Sequence, residues 1–445
     1  MRKKPLNRWA CGVTIVFANF LAHAESLSTD SPPEQIQTLT DPTKDFFHTV
    51  GNTTGLEFWG YGRGGFYSTG DGSRKGGYSL GGDLQKYRLG NEGDNYLEFG
   101  IGKRIDLSRD VKWGLFYMPM IYNGHGSTAQ AYTSISGIFG NNAAFWAGQR
   151  YHRVQDIHIV DKWIIEDGDN YGIGVDEIPL GRLGYLNVAA HTADSIDNKG
   201  GNPNNARRVN LQWRDIPISR GGKLTVTGGW ISGHFERGKD GGALGLMHVQ
   251  KDFLIPRLNN LFIAQISNGH TSLSGKFYNL DNRIEAPSPL ITPDYAHQTT
   301  HALGNPQQPG AKQRRILDSL DFQIGHFGGQ TLIGYQTTQP EDGHEMRDWT
   351  VGGRVSYGIN RCTKLLAEFG STLRSLDGQP RQTLKKGTIA IAFSPSTDFW
   401  ARPEVRVYAT HANWNKAATY ANAVSFGNNR QRRATMVGAQ VEAWW

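Results

Sequence analysis

From Leu56 onward the chain reads as short segments in which apolar and polar residues alternate, separated by turns rich in Gly, Asn and Asp. The last nine residues show it most clearly. Val437, Ala439, Val441, Ala443 and Trp445 alternate with Gly438, Gln440, Glu442 and Trp444. Successive side chains of a strand point to opposite faces, so this segment has one apolar face and one polar face. Leu97, Phe99 and Ile101 alternate in the same way with Tyr96, Glu98 and Gly100. So do Ala401, Pro403, Val405 and Val407 with Trp400, Arg402, Glu404, Arg406 and Tyr408. Further strands are predicted near 56–66, 111–121, 144–149, 170–177, 183–190, 206–213, 223–230, 243–250, 260–266, 274–280, 316–325, 330–336, 347–356, 362–370 and 386–394. The total is eighteen, an even number that suits an all-β, closed antiparallel transmembrane barrel with an apolar outside and a polar lumen. A soluble sandwich or propeller is the alternative. No repeat of the propeller type supports it, and a sandwich of this length would divide into domains.

The start of the chain follows different rules. Arg2, Lys3, Lys4 and Arg8 precede an apolar run from Trp9 to Leu21 and the small-residue end Ala22-His23-Ala24. This is the layout of a secretory signal peptide over 1–24, too short for a spanning helix. Most of the apolar stretch follows Cys11 instead of preceding it, which argues against a lipid anchor. Residues 25–55 are polar and carry Pro32, Pro33 and Pro42, and read as a periplasmic extension before a single barrel domain over 56–445.

Composition then narrows the function. Removal of 1–24 takes away four basic residues and no acidic one, so the formal charge falls from +7 to +3. Both signs are mixed along the remainder, without the concentrated basic patch of a nucleic-acid partner. Only Cys362 remains after cleavage, which excludes an internal disulfide framework and a cysteine zinc site. Hydrophobic residues are 38% of the chain, glycines number 56 and aromatics reach 11%. One-faced barrel strands give that profile, as does a soluble β protein.

Four blocks carry a family resemblance. They are Leu56-Glu57-Phe58-Trp59-Gly60-Tyr61-Gly62-Arg63 followed by Lys86-Tyr87-Arg88-Leu89-Gly90-Asn91-Glu92; Trp146-Ala147-Gly148-Gln149-Arg150 followed by Asp156-Ile157-His158-Ile159-Val160-Asp161; the run from Trp400 to Val407; and the terminal Val437 to Trp445. In this order they resemble the maltoporin family over roughly 56–445, with a patchier match between about 190 and 345. The resemblance implies an outer-membrane, sugar-conducting homotrimer of 18-stranded barrels, surrounded by lipid and without a cofactor. It also implies a third loop folded inward as a constriction. By the same resemblance Tyr61, Tyr96, Trp400 and Trp444 fall on an aromatic slide, and Arg63, Arg88 and Glu98 on a flanking polar track. Asp156, His158, Asp161 and Glu166 fall on the constriction loop, where Trp163 replaces a tyrosine opposite the slide.

A sugar ring offers apolar C–H faces and a rim of hydroxyls. Aromatic faces meet the first and charged groups the second, and a row of weak sites permits both capture and release. Alternation independently puts Tyr96, Trp400 and Trp444 on the polar face of their strands. Phe58 and Trp445 read instead as lipid-facing or girdle residues.

The sequence also departs from the family pattern. A slide position falls on Leu258, Val154 stands where an arginine is usual with Arg153 one place earlier, and the first-loop cysteine pair is missing. The second loop, read as Asn123 to Gly137, lacks the tryptophan that reaches a neighbouring subunit, a place Tyr132 could fill.

Other chemistry finds less support. Gly60-Tyr61-Gly62-Arg63-Gly64-Gly65 has dinucleotide-fingerprint spacing, but the Gly- and Ser-rich stretch after it cannot be the required helix. His152, Asp156, His158 and Asp161 form no tight metal motif. Asp156 paired with Asp161 or Glu166 would suit a glycoside hydrolase, yet nothing fixes the separation such a pair needs. A general diffusion porin is the remaining alternative.

Overall fold

The computed structural model describes residues 49–69, 77–194, 202, 204–235, 238–278, 310–341, 343–421, 423–426 and 431–445. The reading of 1–24 and of most of 25–55 therefore lies outside the described residues, and 49–54 form a helical turn ahead of the first strand.

Eighteen strands follow among the described residues. They are β1 (Leu56–Thr69), β2 (Tyr96–Asp106), β3 (Lys112–Tyr122), β4 (His125–Ser136), β5 (Ala144–Ile157), β6 (Lys162–Pro179), β7 (Tyr185–Thr192), β8 (Arg207–Ser219), β9 (Gly222–Ser232), β10 (Gly241–Gln250), β11 (Leu258–Ser267), β12 (Ala311–Ile324), β13 (Phe327–Pro340), β14 (Met346–Asn360), β15 (Thr363–Leu376), β16 (Gln382–Phe393), β17 (Glu404–Trp414) and β18 (Arg433–Trp444). Each pairs antiparallel with its sequence neighbours, and β1 pairs with β18 to close the ring. The seam continues past β18: the Gly60 and Trp445 backbones exchange hydrogen bonds of 3.1 and 3.2 Å. Closure leaves no unpaired edge, the condition for crossing a bilayer with strands.

The alternation seen in the sequence is the alternation of the wall. On β16, Ile389 and Ile391 stand outward and exposed while Lys386, Thr388 and Ala390 are buried on the inside. On β18, Val437 is 56% exposed and Gln440 and Glu442 are buried. The buried side of this protein is therefore the polar one. Connections after even-numbered strands are mostly brief, such as 220–221, 325–326 and 361–362, while several after odd-numbered strands are long, such as 70–95, 268–310 and 415–432.

Three connecting segments return against the lumen-facing side chains. Residues 77–92 bond to the inner faces of β15–β17: the Leu89 N–H donates to Glu368, Thr388 donates to the Leu89 carbonyl, and Thr410 to the Gly90 carbonyl (2.8, 2.9 and 3.0 Å). A 3-10 turn, His158–Val160, joins β5 to β6, and the Ile159 N–H donates to Gln330 of β13. Residues 268–278 lie against β8 and β11 through Asn210 and Gln265.

The strand number agrees with expectation through two compensating errors. His125–Ser136, read as part of a loop, is strand β4, and Asn123-Gly124 is a two-residue turn. A bulge opposite Met118 and Pro119 breaks the alternation midway, so no two-residue period survives in the sequence. Conversely, 274–280 is not a strand: its described part holds only an isolated bridge between Thr271 and Phe277. The predicted 400–408 strand begins at Glu404, after Pro403, which has no N–H for the ladder.

The two faces make opposite demands on substitution. Ile389→Arg places a charge on the outer, 68% exposed position of β16 and is expected to lower barrel stability in liposomes by about 2–4 kcal/mol near the bilayer midplane. Urea midpoints in lipid vesicles measure it; an unchanged midpoint would contradict the assignment of this face to lipid.

Candidate functional site

The parity of neighbouring strands assembles a row of aromatic rings. Tyr122, the last residue of β3, is the direct partner of Tyr96 on β2, and their rings lie 6.2 Å apart. Tyr96 reaches diagonally to Tyr61 on β1 (5.9 Å), and Tyr61 is the direct partner of Trp444 on β18. Trp444 then lies 6.5 Å from Trp400, in the turn before β17. The five rings thus form two groups, Tyr122–Tyr96–Tyr61 on β3, β2 and β1 and Trp444–Trp400 on β18 and the approach to β17, joined by the register pairing of Tyr61 with Trp444. None of the five is fully buried, and Tyr122 is 46% exposed.

An ionic network runs beside the row. Arg63, two residues along β1 from Tyr61 and on the same face, pairs with Asp94 (2.7 Å) and Asp161 (3.0 Å). Lys86 bridges Glu92 and Asp161 at 2.5 Å each, and Arg88 reaches Glu92, Asp161 and Glu442 at 3.0, 3.3 and 3.1 Å. Glu442, with no exposed surface, also accepts from Tyr61 (2.9 Å), Arg402 (2.8 Å) and Arg406 (2.7 Å). Burial pushes the Glu92 carboxyl up, but Arg63, Arg88 and Lys86 outweigh it and hold the group at about 2. Glu92 is therefore ionised at neutral pH.

The tip of the β5–β6 connection enters this site. The His158 ring stands 5.5 Å from both Trp400 and Trp444, with its nitrogens 3.2 Å from Arg402 and 3.5 Å from Arg88. Burial is the main influence on it; the neighbouring arginines push the same way, Glu442 opposes them, and the result is about 4. His158 is neutral at ordinary pH. Asp161 closes the turn in the left-handed region (φ 55°), its N–H donating to the His158 carbonyl.

A second cluster joins through Tyr96. Its hydroxyl donates to Glu98 (2.5 Å), and Arg153 bridges Glu98 and Glu166, both at 3.1 Å. Arg153 lies over the Tyr151 ring (3.7 Å) and within 5.5 Å of the Trp163 ring. Register shifts around Val154 and Gln155 separate Arg153 from Val154, which packs against the apolar cluster holding Ile157 and Ile159. Asp156 is the direct partner of Trp163, and its carboxylate makes no ion pair among the described residues.

Tyr61, Arg63, Arg88, His158, Asp161, Trp400 and Trp444 therefore come together in one cluster, and Tyr96, Glu98, Glu166 and Trp163 in an adjoining one. Trp400 belongs to it through its turn, not through strand alternation. Tyr132 does not reach outward: it is buried and stacked on Phe116 at 4.7 Å. Leu258 opens β11 opposite Phe322, away from the row.

Sequence reasoning missed Tyr122, Lys86, Glu92, Asp94, Arg402, Arg406 and Glu442. Parity with Trp444 could have found Glu442. Tyr122 was illegible because β3 is apolar on both faces, with Phe116, Met118 and Met120 inward and Leu115, Tyr117 and Ile121 outward.

Comparison with known proteins gives a match of the family model described as LamB porin to residues 56–445. Solved structures that resemble the fold include OccK3 (OpdO) of Pseudomonas aeruginosa, at 9% identity and a TM-score of 0.46 over 88% of this chain and 95% of that one. An anion-selective porin from Comamonas acidovorans is 10% identical, with a TM-score of 0.44 over 87% and 100% of the two chains. A loop-deletion variant of OmpT, an outer membrane protein of Vibrio cholerae, is 8% identical, with a TM-score of 0.44 over 88% and 99%.

Glu442→Gln leaves Arg88, Arg402 and Arg406 around a neutral group. Removing one partner of a buried charge cluster costs about 3–5 kcal/mol, so unfolding in urea should shift to markedly lower concentration; an unshifted midpoint would refute the hub. For His158 the folded-state value near 4 lies below the unfolded 6.5. Its stabilising contribution is full above pH 6.5 and is lost as pH falls from 6.5 through 4. A plot of urea midpoint against pH should be less steep in that window for His158→Gln than for the unmodified protein, and identical slopes would show that the ring is not held neutral.

Proposed function

We propose that this chain, which belongs to the LamB porin family, is a sugar-selective channel whose aromatic row and ionic track carry di- or oligosaccharides by facilitated diffusion. Its family and its closed 18-stranded barrel make it an outer-membrane porin, a channel and not an enzyme. The observation that carries the finer reading is the succession of Tyr122, Tyr96, Tyr61, Trp444 and Trp400 on the same face of neighbouring elements, with Arg63, Arg88, Glu98 and Asp161 beside it.

The rings offer the C–H faces of a pyranose a series of stacking positions. A sugar can therefore advance from one to the next without losing all its contacts at once. Charged side chains beside the rings donate to and accept from the hydroxyls. Because they are already paired with one another, a passing sugar exchanges one hydrogen bond for another and is not trapped. Residues 77–92 and 157–161 narrow the lumen opposite the row, with Asp156, His158, Trp163 and Glu166 on the constricting side. Trimeric assembly and a maltodextrin-like substrate are the readings closest to the family.

Ion current through the purified protein in a planar bilayer, titrated with maltose, maltotriose, sucrose and a β-glucoside, tests this. Concentration-dependent block by one series is expected, and Trp444→Ala should weaken it about tenfold, the equivalent of one lost aromatic contact near 1.4 kcal/mol. Conductance without block by any sugar would leave a general diffusion porin.

A further inference from the structure

We propose that Tyr87 is a positioning residue: its ring, seated in a socket made by Gly352 and Gly370 of the barrel wall, holds Lys86 and Arg88 at the lumen and so sets the width of the channel. The inference rests on the channel reading for its sugar arm, but not for its conductance arm.

Four observations place the residue. Gly352 and Gly370 are direct partners on β14 and β15, so their missing side chains leave one continuous bare patch on the inner wall. The Tyr87 ring fills that patch, since a β-carbon on either glycine would overlap it. At the far end of the ring the hydroxyl shares a 2.7 Å hydrogen bond with Thr350, two residues along β14. Finally, the Tyr87 backbone has φ of 41°, a left-handed conformation sparsely populated by residues with a β-carbon. A tyrosine stays there only when its surroundings hold it.

The consequence falls on its neighbours. With the Tyr87 side chain turned into the wall, Lys86 bridges Glu92 and Asp161, and Arg88 reaches Glu92, Asp161 and Glu442. Lys386 of β16 reinforces this arrangement by donating to the carbonyls of Tyr78, Lys86 and Tyr87. The Arg88 N–H donates to the Ile159 carbonyl at 2.9 Å, so the position of Tyr87 also reaches the turn that carries His158. Tyr87 belongs to the same buried apolar cluster as Ile159 and Phe399. It is 1% exposed, so it cannot itself touch a passing sugar.

A double-mutant cycle in planar bilayers separates this from a general packing role. The variants are Tyr87→Ala, Gly370→Ala, the two combined, Tyr87→Phe, and Gly387→Ala as a control whose added β-carbon meets nothing within 4 Å. Heat-modifiable migration confirms that each barrel has folded. Tyr87→Ala is expected to raise single-channel conductance by freeing the segment, and Gly370→Ala to lower it by pushing the ring and its segment toward the axis. Both should weaken sugar block about tenfold, the equivalent of one or two lost hydrogen bonds. The combined variant should match Tyr87→Ala alone, because without the ring the added methyl displaces nothing. Tyr87→Phe keeps the ring in its socket and should conduct like the unmodified protein. The proposal is overturned if folded Gly370→Ala conducts and binds like Gly387→Ala, if the two effects add, or if Tyr87→Phe reproduces Tyr87→Ala. Should the unmodified channel bind no sugar, the sugar reading fails, and the conductance cycle still decides the role of Tyr87.

Discussion

A carboxylate without solvent exposure, Glu442, is the tie on which the inside of this barrel depends. It sits two residues from the end of β18 and accepts from Tyr61 of β1, Arg406 of β17, Arg402 of the turn before β17, and Arg88 of the returning segment 77–92. One group therefore joins both strands of the closing seam, the neighbouring strand and the inner segment. A buried charge is costly in isolation and stable only when its lone pairs are filled. Here three guanidinium groups and a hydroxyl fill them. The side chains that make the hub also flank the aromatic rings, so closure of the barrel and the ionic network beside the rings fall on the same residues.

Such a protein inverts the usual relation between core and surface. Its outer face is apolar because lipid surrounds it, and its buried face is polar because it lines water. Specific geometry in a polar interior has to come from paired charges and from shape. Charge pairs such as Arg354–Glu368 (2.7 Å), Lys364–Glu404 (2.8 Å) and Arg374–Asp348 (2.7 Å) line the inner wall of β14–β17. Shape is supplied by glycines. Gly352 and Gly370 admit a tyrosine ring to the wall, and Gly90 (φ 61°) lets the returning backbone approach Thr410 and Tyr408 where a β-carbon would collide. Segment 77–92 is thus built into the wall as a fixed inner layer.

The local rules of the β-strand made much of this legible in advance. Alternation along 437–445 identified the lipid face and placed Glu442 and Trp444 on the other, and both lie where parity required. It failed where the two-residue period is itself broken. The bulge in the β3–β4 pair hid β4, and the apolar inner face of β3 hid Tyr122. The strand predicted near 274–280 is absent from the described part of that segment, where Phe277 packs beneath Arg208 instead.

What the sequence determined by itself was the class: an all-β chain of strands apolar on one face and polar on the other, because a side-chain period of two is a local property that needs no knowledge of the partner strand. It also determined which residue types face inward on the regular strands. What only the tertiary structure decided was which of these meet. Tyr61 and Trp444 lie at opposite ends of the chain and become direct partners only when β18 closes on β1. Arg88 and Tyr87 belong to a segment without period, whose place follows from ion pairs and a glycine socket on strands far along the sequence. Contacts of that kind arise from the register between distant strands, and register is a property of the closed ring and not of any one segment within it.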